Sequence, residues 1–355
     1  MERTASITIV DLELYLVEIG CASHEPAARS LLVRLVTNEG LEGWGETPTS
    51  WQAAELPARR NALLPALASR SIFEIEDLLG HQALRSAPLR SAVEMASWDL
   101  VGRVAGQPLC HLFGGGYRRR IPLAVRPGGR SPQESARLAR ELDEQGFHNQ
   151  VITSCGDAER DLAMVLAVRE VLPGRAELRF DAAARYDLES ARELCTELEG
   201  AGLQFLLDPL SAPELDQVAS LRRQTSVPLG VRRAIAGPSD VLAVVRCGAA
   251  PFIVVDLQLV GGLVAARKCA AIAQAAGLGA SLASGPSGGI ALAALLQLAS
   301  ATPAYSIPNE CPHHHLQDDL LVEPLEIADG LLTVPQGPGL GVEVDRAKVE
   351  RYLVT

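Results

Sequence analysis

Lysine is almost missing: Lys268 and Lys348 are the two lysines among 32 basic residues in a chain of 355. One falls in a helix-like stretch and the other near the C-terminus, so neither is expected where a lysine base would have to act. Aromatic residues make up 4% and the net charge is -11, spread along the chain, which excludes the basic, base-stacking face of a nucleic-acid binder. No stretch approaches the roughly 18 apolar residues that span a bilayer. The seven cysteines (Cys21, Cys110, Cys155, Cys195, Cys247, Cys269 and Cys311) are odd in number and form no CxxC pair, so they read as reduced thiols of a cytoplasmic protein. The first residues, MERTASITIVDLELYLVEIG, hold acids and no uninterrupted apolar region, and a secretory leader is not expected. A Gly-rich phosphate turn is missing too: RPGGRSP at 126–132 is the nearest approach and lacks the GxGxxG spacing.

What is present is 48% hydrophobic residues, enough for a large core. Residues 6–17 and 31–36 alternate apolar and polar like antiparallel strands, and GLEGWGETPTS reads as the loop that closes them. Helical periodicity follows from Trp51 to Leu79 and from Pro88 to Val104, with Trp44 and Trp98 as core residues, until Gly114, Gly115 and Gly116 break it. Beyond residue 117, strand-like runs recur at IPLAVR, NQVIT, LRF, QFLL, PLGV, FIVV, GASLA and AYSI, about 24 to 29 residues apart, with a helix-sized gap after each. That regularity predicts a closed parallel barrel over 118–317 rather than an open sheet. GLLTVPQGPGLGVEVD returns to alternation and is expected to fold back on the N-terminal strands, giving a small domain of 1–117 plus about 318–355.

Four stretches, GLEGWGE, AVEMASWDLVGRVAGQPLCHLFGG, VGGLVAARKCAAIAQAAGL and VPQGPGLGVEVD, together resemble the enolase superfamily in its mandelate racemase and muconate lactonizing enzyme branch. The resemblance covers essentially the whole chain in the right order. It implies an α/β fold: a modified (β/α)7β TIM-type barrel under an α+β capping domain, with specificity loops at Ile19 to Arg29 and Thr47 to Glu55. It also implies Mg2+ held by acids at the ends of barrel strands three, four and five, abstraction of a proton next to a carboxylate, and a symmetric homo-oligomer.

The expected site residues depart from that pattern. Strand three keeps Asp181, followed by Ala183 where the family has Asn. Strand four has Leu207 where the family has Glu, and Asp208 is one residue out of phase, which in a strand means the opposite face, so that only a local bulge would bring it back as a replacement ligand. Strand five ends in Arg232 and Arg233, with Arg233 at the position where an acid ligand is expected. Strand two carries Thr153 and Ser154 in place of a Lys-x-Lys pair. Asp256 on strand six lacks the His that would accompany it on strand seven, where Ser284 follows GASLA. Glu310 on strand eight matches an acid that contacts the substrate carboxylate in the mandelate racemase branch. His313, His314 and His315 are consecutive, cannot all face one ion, and read as a solvated loop.

These departures lead to an expectation of no bound Mg2+, with Asp181 as the sole retained ligand and an inward Arg232 or Arg233 paired with Asp181 or Asp256 in the metal's place. Asp256, Arg232, Arg233 and Glu310 are the candidate reactive groups; His24, Arg29, Thr153, Ser154 and Ser284 are candidate ligand contacts. The chain then reads as a binder of a small carboxylate that has lost catalysis. The alternative is an active isomerase or lyase with Arg232 or Arg233 as electrophile and Asp256, Asp181 or His24 as base. A ligand-free oligomeric scaffold is the third reading, and it requires a barrel mouth plugged by apolar side chains.

Overall fold

The change of hydrophobic period along the sequence corresponds to two kinds of sheet. The computed structural model describes residues 7–21, 27–212, 214–310 and 313–355, with His314 as backbone alone. Strands β1 (Ile9–Ile19), β2 (Ala28–Thr37) and β3 (Glu42–Pro48) form an antiparallel sheet in chain order. Helices α1 (Leu56–Leu67), α2 (Ile75–Leu79), α3 (Ala87–Ala105) and α4 (Leu109–Leu112) follow. Helix α3 starts after Ser86 with a proline in its first turn and stops at Gly106, whose φ of 62° only glycine adopts easily.

The GLEGWGETP stretch, expected to be a loop, is mostly strand β3, and its glycines have a packing role. A Cβ on Gly45 would lie 1.9 Å from the Ala92 carbonyl oxygen, and one on Gly43 would lie 2.2 Å from that of Ala96. The backbone of α3 therefore lies directly on the strand, an approach that any side chain would prevent.

The barrel begins at β4 (Arg120–Ala124) and alternates through α5 (Pro132–Glu144), β5 (Asn149–Thr153), α6 (Ala158–Val171), β6 (Glu177–Asp181), α7 (Leu188–Glu197) and β7 (Leu203–Leu207). It continues through α8 (Leu215–Arg222), β8 (Leu229–Val231), α9 (Pro238–Cys247), β9 (Phe252–Asp256), α10 (Leu257–Val260) and α11 (Leu263–Ala276). It ends with β10 (Gly279–Ala283), α12 (Gly289–Ala301) and β11 (Asn309–Glu310). Ser131, Asp157 and Asp187 start α5, α6 and α7 by accepting a backbone N–H three residues on. Each strand pairs in parallel with the next, β11 pairs with β4, and Val125 closes the ring on β5 through its N–H to Asn149 (3.0 Å) and its carbonyl from Val151 (2.8 Å). This is a (β/α)7β TIM-type barrel beside a capping domain.

Alternation along each strand sorts the side chains. Leu206, Ile253, Val255 and Leu282 pack outward in the helix layer, while Phe205, Leu207, Val254, Ala283 and Ile307 make a separate apolar cluster inside the ring. The eighth strand is Asn309–Glu310 rather than the AYSI run, because Tyr305 turns its hydroxyl to the Ala266 carbonyl (2.6 Å) and Arg118 takes the Tyr305 carbonyl. The tail divides between the two units. Strand β12 (Ile327–Ala328) pairs with β13 (Leu331–Thr333), which pairs with β4 of the barrel, contrary to expectation. After α13 (Arg346–Arg351), Tyr352 and Val354 hydrogen-bond to β1.

Among the described residues no helix is long and apolar enough to cross a membrane. The tight seating of α3 on β3 predicts that Gly45→Ala lowers stability by about 2 kcal/mol or more through overpacking. The expected result is a lower thermal midpoint; an unchanged midpoint would refute the close approach.

Candidate active site at the barrel mouth

Inward positions at the C-terminal ends of the strands bring a charged group together from five of them. Asp181 ends β6 and is 1% exposed, with one oxygen accepting the N–H of Ala183 at 2.9 Å. Its other oxygen, Oδ2, takes Nη2 of Arg232 at 2.8 Å and Nη2 of Arg126 at 3.1 Å. Glu310, on β11, receives Arg232 at 3.2 Å and Arg126 at 3.4 Å on a single oxygen. Arg232 follows the three-residue strand β8, its side chain 12% exposed, and its Nε is 3.7 Å from Asp208. The guanidinium thus sits among three carboxylates.

The two adjacent arginines separate as period-two alternation requires. Arg232 points inward and Arg233, half exposed, stands at the rim. It is therefore Arg232, and not Arg233 as expected, that occupies the inward strand-five position, and its partners are Asp181 and Glu310 rather than Asp256. Asp208 has φ +46° and turns its carboxylate to the backbone N–H groups of Arg232 (2.8 Å) and Arg233 (3.2 Å), so it secures the turn after β8. Leu207 is fully buried in the interior apolar cluster.

The electrostatics follow from burial and partners. Burial alone would push Asp181 up, but the Arg232 and Arg126 guanidiniums outweigh it and hold the carboxyl below the usual range. Burial dominates at Asp208, which rises to about 6 despite Arg232. Asp256, at the end of β9, is likewise pushed up to about 6 by desolvation, partly offset by backbone N–H groups and Arg232. Arg232 is held more firmly protonated than an ordinary arginine, since Asp181, Glu310 and Asp208 outweigh its desolvation.

Above this layer is an open cavity of about 430 Å³. Arg126, Arg232, Arg233, Asp256, Glu310 and His315 supply its polar wall, and Ala28, Ala124, Ala283, Leu259 and Leu316 its apolar one. The mouth is therefore not plugged. The capping sheet reaches it through Gly20 and Cys21, which hydrogen-bond to Gln317 after β11.

Several expected contacts lie elsewhere. Ser154 faces away from the mouth, its hydroxyl donating to Asp161 at 2.5 Å beside Tyr186, because it is one residue past the inward Thr153. Thr153 does sit beside Asp181 in the strand register, with a buried hydroxyl that has no protein partner. The Ser284 carbonyl serves Gln258 and Ser287, and the residue is off the cavity wall. Arg29 hydrogen-bonds to Gln52 at 3.3 Å outside the cavity. His24 lies outside the described residues. The histidine run is a 3-10 turn rather than a solvated loop: His313 packs against Asp319 at 3.4 Å, and His315 lines the cavity.

Sequence reasoning missed Arg126, Arg179 and His315. Arg126 was visible as the polar end of IPLAVR. Arg179 is two residues before Asp181 and so shares its inward face; it is 1% exposed, bonded to Gln204 at 2.6 Å, stacked over Phe205, and 3.9 Å from Glu310. Burial lowers its value to about 10.

Comparison with known proteins gives a consistent result. Residues 6–114 match the mandelate racemase / muconate lactonizing enzyme N-terminal domain, and residues 134–348 match the enolase C-terminal domain-like family. The chain is 30% identical to muconate cycloisomerase 1 of Rhodococcus opacus, covering 97% of this chain and 96% of that one. It is 31% identical to L-Lys-D/L-Arg epimerase of Methylococcus capsulatus, covering 88% and 90%. Among solved structures it is similar to an isomerase from Streptomyces coelicolor A3(2), with TM-score 0.87, 31% identity and coverage of 98% and 99%.

The geometry predicts how Arg232→Met behaves. Without the guanidinium, Asp181 and Asp208 lose the cation that favours their ionised forms, and their carboxyls rise above their values in the unfolded chain. The folded variant then binds more protons than the unfolded one between about pH 4 and 7, so its stability increases as pH falls. In the native protein Asp181 has the opposite sign: its contribution is present above the ordinary carboxylate range and is lost as pH falls through its lowered value. Arg232→Met should lose about 3 to 5 kcal/mol near pH 7.5. Denaturant melts should show this deficit narrowing toward pH 5, and equal deficits at both pH values would contradict the assignment.

Proposed function

This chain belongs to the mandelate racemase and muconate lactonizing enzyme branch of the enolase superfamily, and from that premise we propose that its barrel mouth binds a small carboxylate without a divalent metal. Its relatives include cycloisomerases, epimerases and dehydratases. One observation carries the proposal: the Arg232 guanidinium is in contact with Asp181 and Glu310 and close to Asp208.

The residues present do not fit Mg2+. At the three strand ends where the family pattern calls for oxygen ligands, this chain has the carboxylate of Asp181, the isobutyl group of Leu207 and the permanent cation of Arg232. Mg2+ takes hard oxygen donors in a near-octahedral shell, and a guanidinium offers donors of hydrogen bonds and no lone pair. Among the described residues no group of three His, Cys, Asp or Glu is arranged to hold a metal. Arg232 instead acts as a tethered cation that keeps the carboxylates ionised. Arg233, half exposed on the cavity wall, offers planar, bidentate recognition of an incoming carboxylate. On this reading the strongest electrophile for enolate formation is gone, and binding outlasts turnover.

A second reading, an isomerase or lyase acting next to a carboxylate, is favoured by Asp256. It lines the same cavity, and burial pushes its carboxyl up to about 6, near the range useful to a general base. Incubation with a library of carboxylic acids in deuterium oxide separates the two readings. Uniform absence of exchange at the α-carbon supports the binder, and exchange that disappears in Asp256→Asn supports the enzyme.

Calorimetric titration with MgCl2 should give no saturable heat up to roughly 10 mM. Saturable binding in the micromolar to low millimolar range would overturn the metal-free reading. The double replacement Leu207→Glu with Arg232→Glu should restore three oxygen donors and with them measurable Mg2+ binding. Carboxylates that bind the native protein should lose about tenfold in affinity in Arg233→Ala, the cost of one hydrogen bond to a charged group.

A further inference from the structure

We propose that the ligand of this cavity carries an ammonium group as well as a carboxylate, a small aliphatic amino acid in the simplest case, with the carboxylate against Arg233 and the ammonium against Asp256. The proposal rests on the carboxylate-binding reading above and specifies its substrate class.

Among the described residues, Asp256 is the carboxylate of the mouth that has no cation in contact. Within 4.0 Å, Asp181 has two guanidiniums, Glu310 three, and Asp208 those of Arg232 and Arg233 besides two backbone N–H groups. Asp256 accepts the backbone N–H of Gln258 at 3.0 Å on Oδ1, as the start of α10 requires. Among the described residues no Arg, Lys or His lies within 4.0 Å of it. It also accepts the backbone N–H of Leu259, and the residue lines the cavity. A desolvated carboxylate without a cation is costly in a protein that is otherwise charge-matched at this site, and a ligand cation would remove that cost.

The charged and titratable groups around Asp256 come from every neighbouring element. Arg232 follows β8 and favours its ionised form, while Glu310 on β11 opposes it. Arg126, Arg233 and His315 complete the charged wall. Arg233 is suited to the ligand's carboxylate: it is half exposed, and its nearest protein acid, Asp208, is 3.9 Å from Nε. A plain carboxylate would place a further anion near Asp256 and Glu310. A hydroxy acid would supply a neutral hydrogen bond. An ammonium supplies a charge-assisted one and matches the unpaired anion. Ala28, Ala124, Leu259 and Leu316 leave apolar wall for an aliphatic side chain of a few carbons.

The test uses three ligands of one shape: leucine, 2-hydroxy-4-methylpentanoate and 4-methylpentanoate, titrated calorimetrically into the native protein near pH 6. Leucine is expected to bind at least tenfold more tightly than the other two. Because an ammonium beside Asp256 favours its ionised form, leucine binding should release protons, whereas 4-methylpentanoate should take them up. Titrations in buffers of different ionisation enthalpy read that sign directly. In Asp256→Asn, which keeps the oxygen that accepts from Gln258, the preference for leucine should fall to within twofold and the proton release should vanish. If either acid binds as tightly as leucine, or leucine binding takes up protons, the ammonium subsite is refuted and the carboxylate site stands. Absence of binding by all three would refute both readings.

Discussion

A buried guanidinium requires compensating negative charge, and in this molecule that requirement at Arg232 orders the whole barrel mouth. Asp181, Asp208 and Glu310 arrive from β6, the turn after β7, and β11. Each alone would pay a desolvation cost, and together without a cation they would repel. Arg126 and Arg179 extend the same balance to the rim and to the interior beneath. Gly230 is part of it as well. A Cβ there would come within 2.8 Å of the Phe205 ring, so glycine lets β8 lie close to β7 just before Arg232. Leu207 then becomes intelligible: another acid at that inward position would add a fourth anion around one guanidinium, whereas leucine joins Phe205 and Val254 in the interior cluster.

The cap is attached by a related device, with backbone dipoles in place of a guanidinium. Glu46 of β3 accepts the N–H groups of Gly288 (2.5 Å) and Ala291 (3.1 Å) at the start of α12. Glu94 of α3 accepts that of Val264 (2.9 Å) at the start of α11. Both barrel helices begin after a glycine that has no side chain for capping, and the other domain supplies the cap. Burial still pushes Glu94 up to about 7, so the contacts lower the cost of burying it without removing it. Docking the cap through such groups fixes the β1 end over the mouth, where Cys21 lines the cavity.

Much of this was legible because strand ends and alternation are strong signals. The seven crossover helices and the inward Asp181 and Leu207 follow from period two, whereas Asp208 departs from it: its φ of +46° takes it out of the strand and brings its carboxylate to 3.7 Å from Arg232. The same rule separates Arg232 from Arg233 and Thr153 from Ser154 once the strand's phase is known. A three-residue strand such as β8 does not reveal its phase in sequence. β3 was misread because glycine signals a turn locally and a close approach globally, and only the position of α3 decides between them. His315 reaches the cavity through a 3-10 turn after a two-residue strand, which has no periodicity to read. Arg179 was hidden because its partners, Gln204, Phe205 and Glu310, are distant in sequence.

A tethered cation differs from a bound one in when its charge is present. A metal neutralises its carboxylates only while it is bound, so an empty metal site has raised acid values and a stability that depends on metal concentration. Arg232 is part of the chain and supplies its charge from the moment the barrel closes. On the proposed reading, the mouth is therefore preorganised at every ionic composition. The limit lies in the chemistry. A guanidinium carries a single delocalised charge and two sets of directed hydrogen bonds, already committed to Asp181 and Glu310. To polarise a substrate carboxylate as a divalent ion would, Arg232 would have to leave those acids, exposing the repulsion that its presence relieves. The interaction that stabilises the site is thus the one that restrains its use as an electrophile, and recognition of the ligand falls to the side chains at the rim.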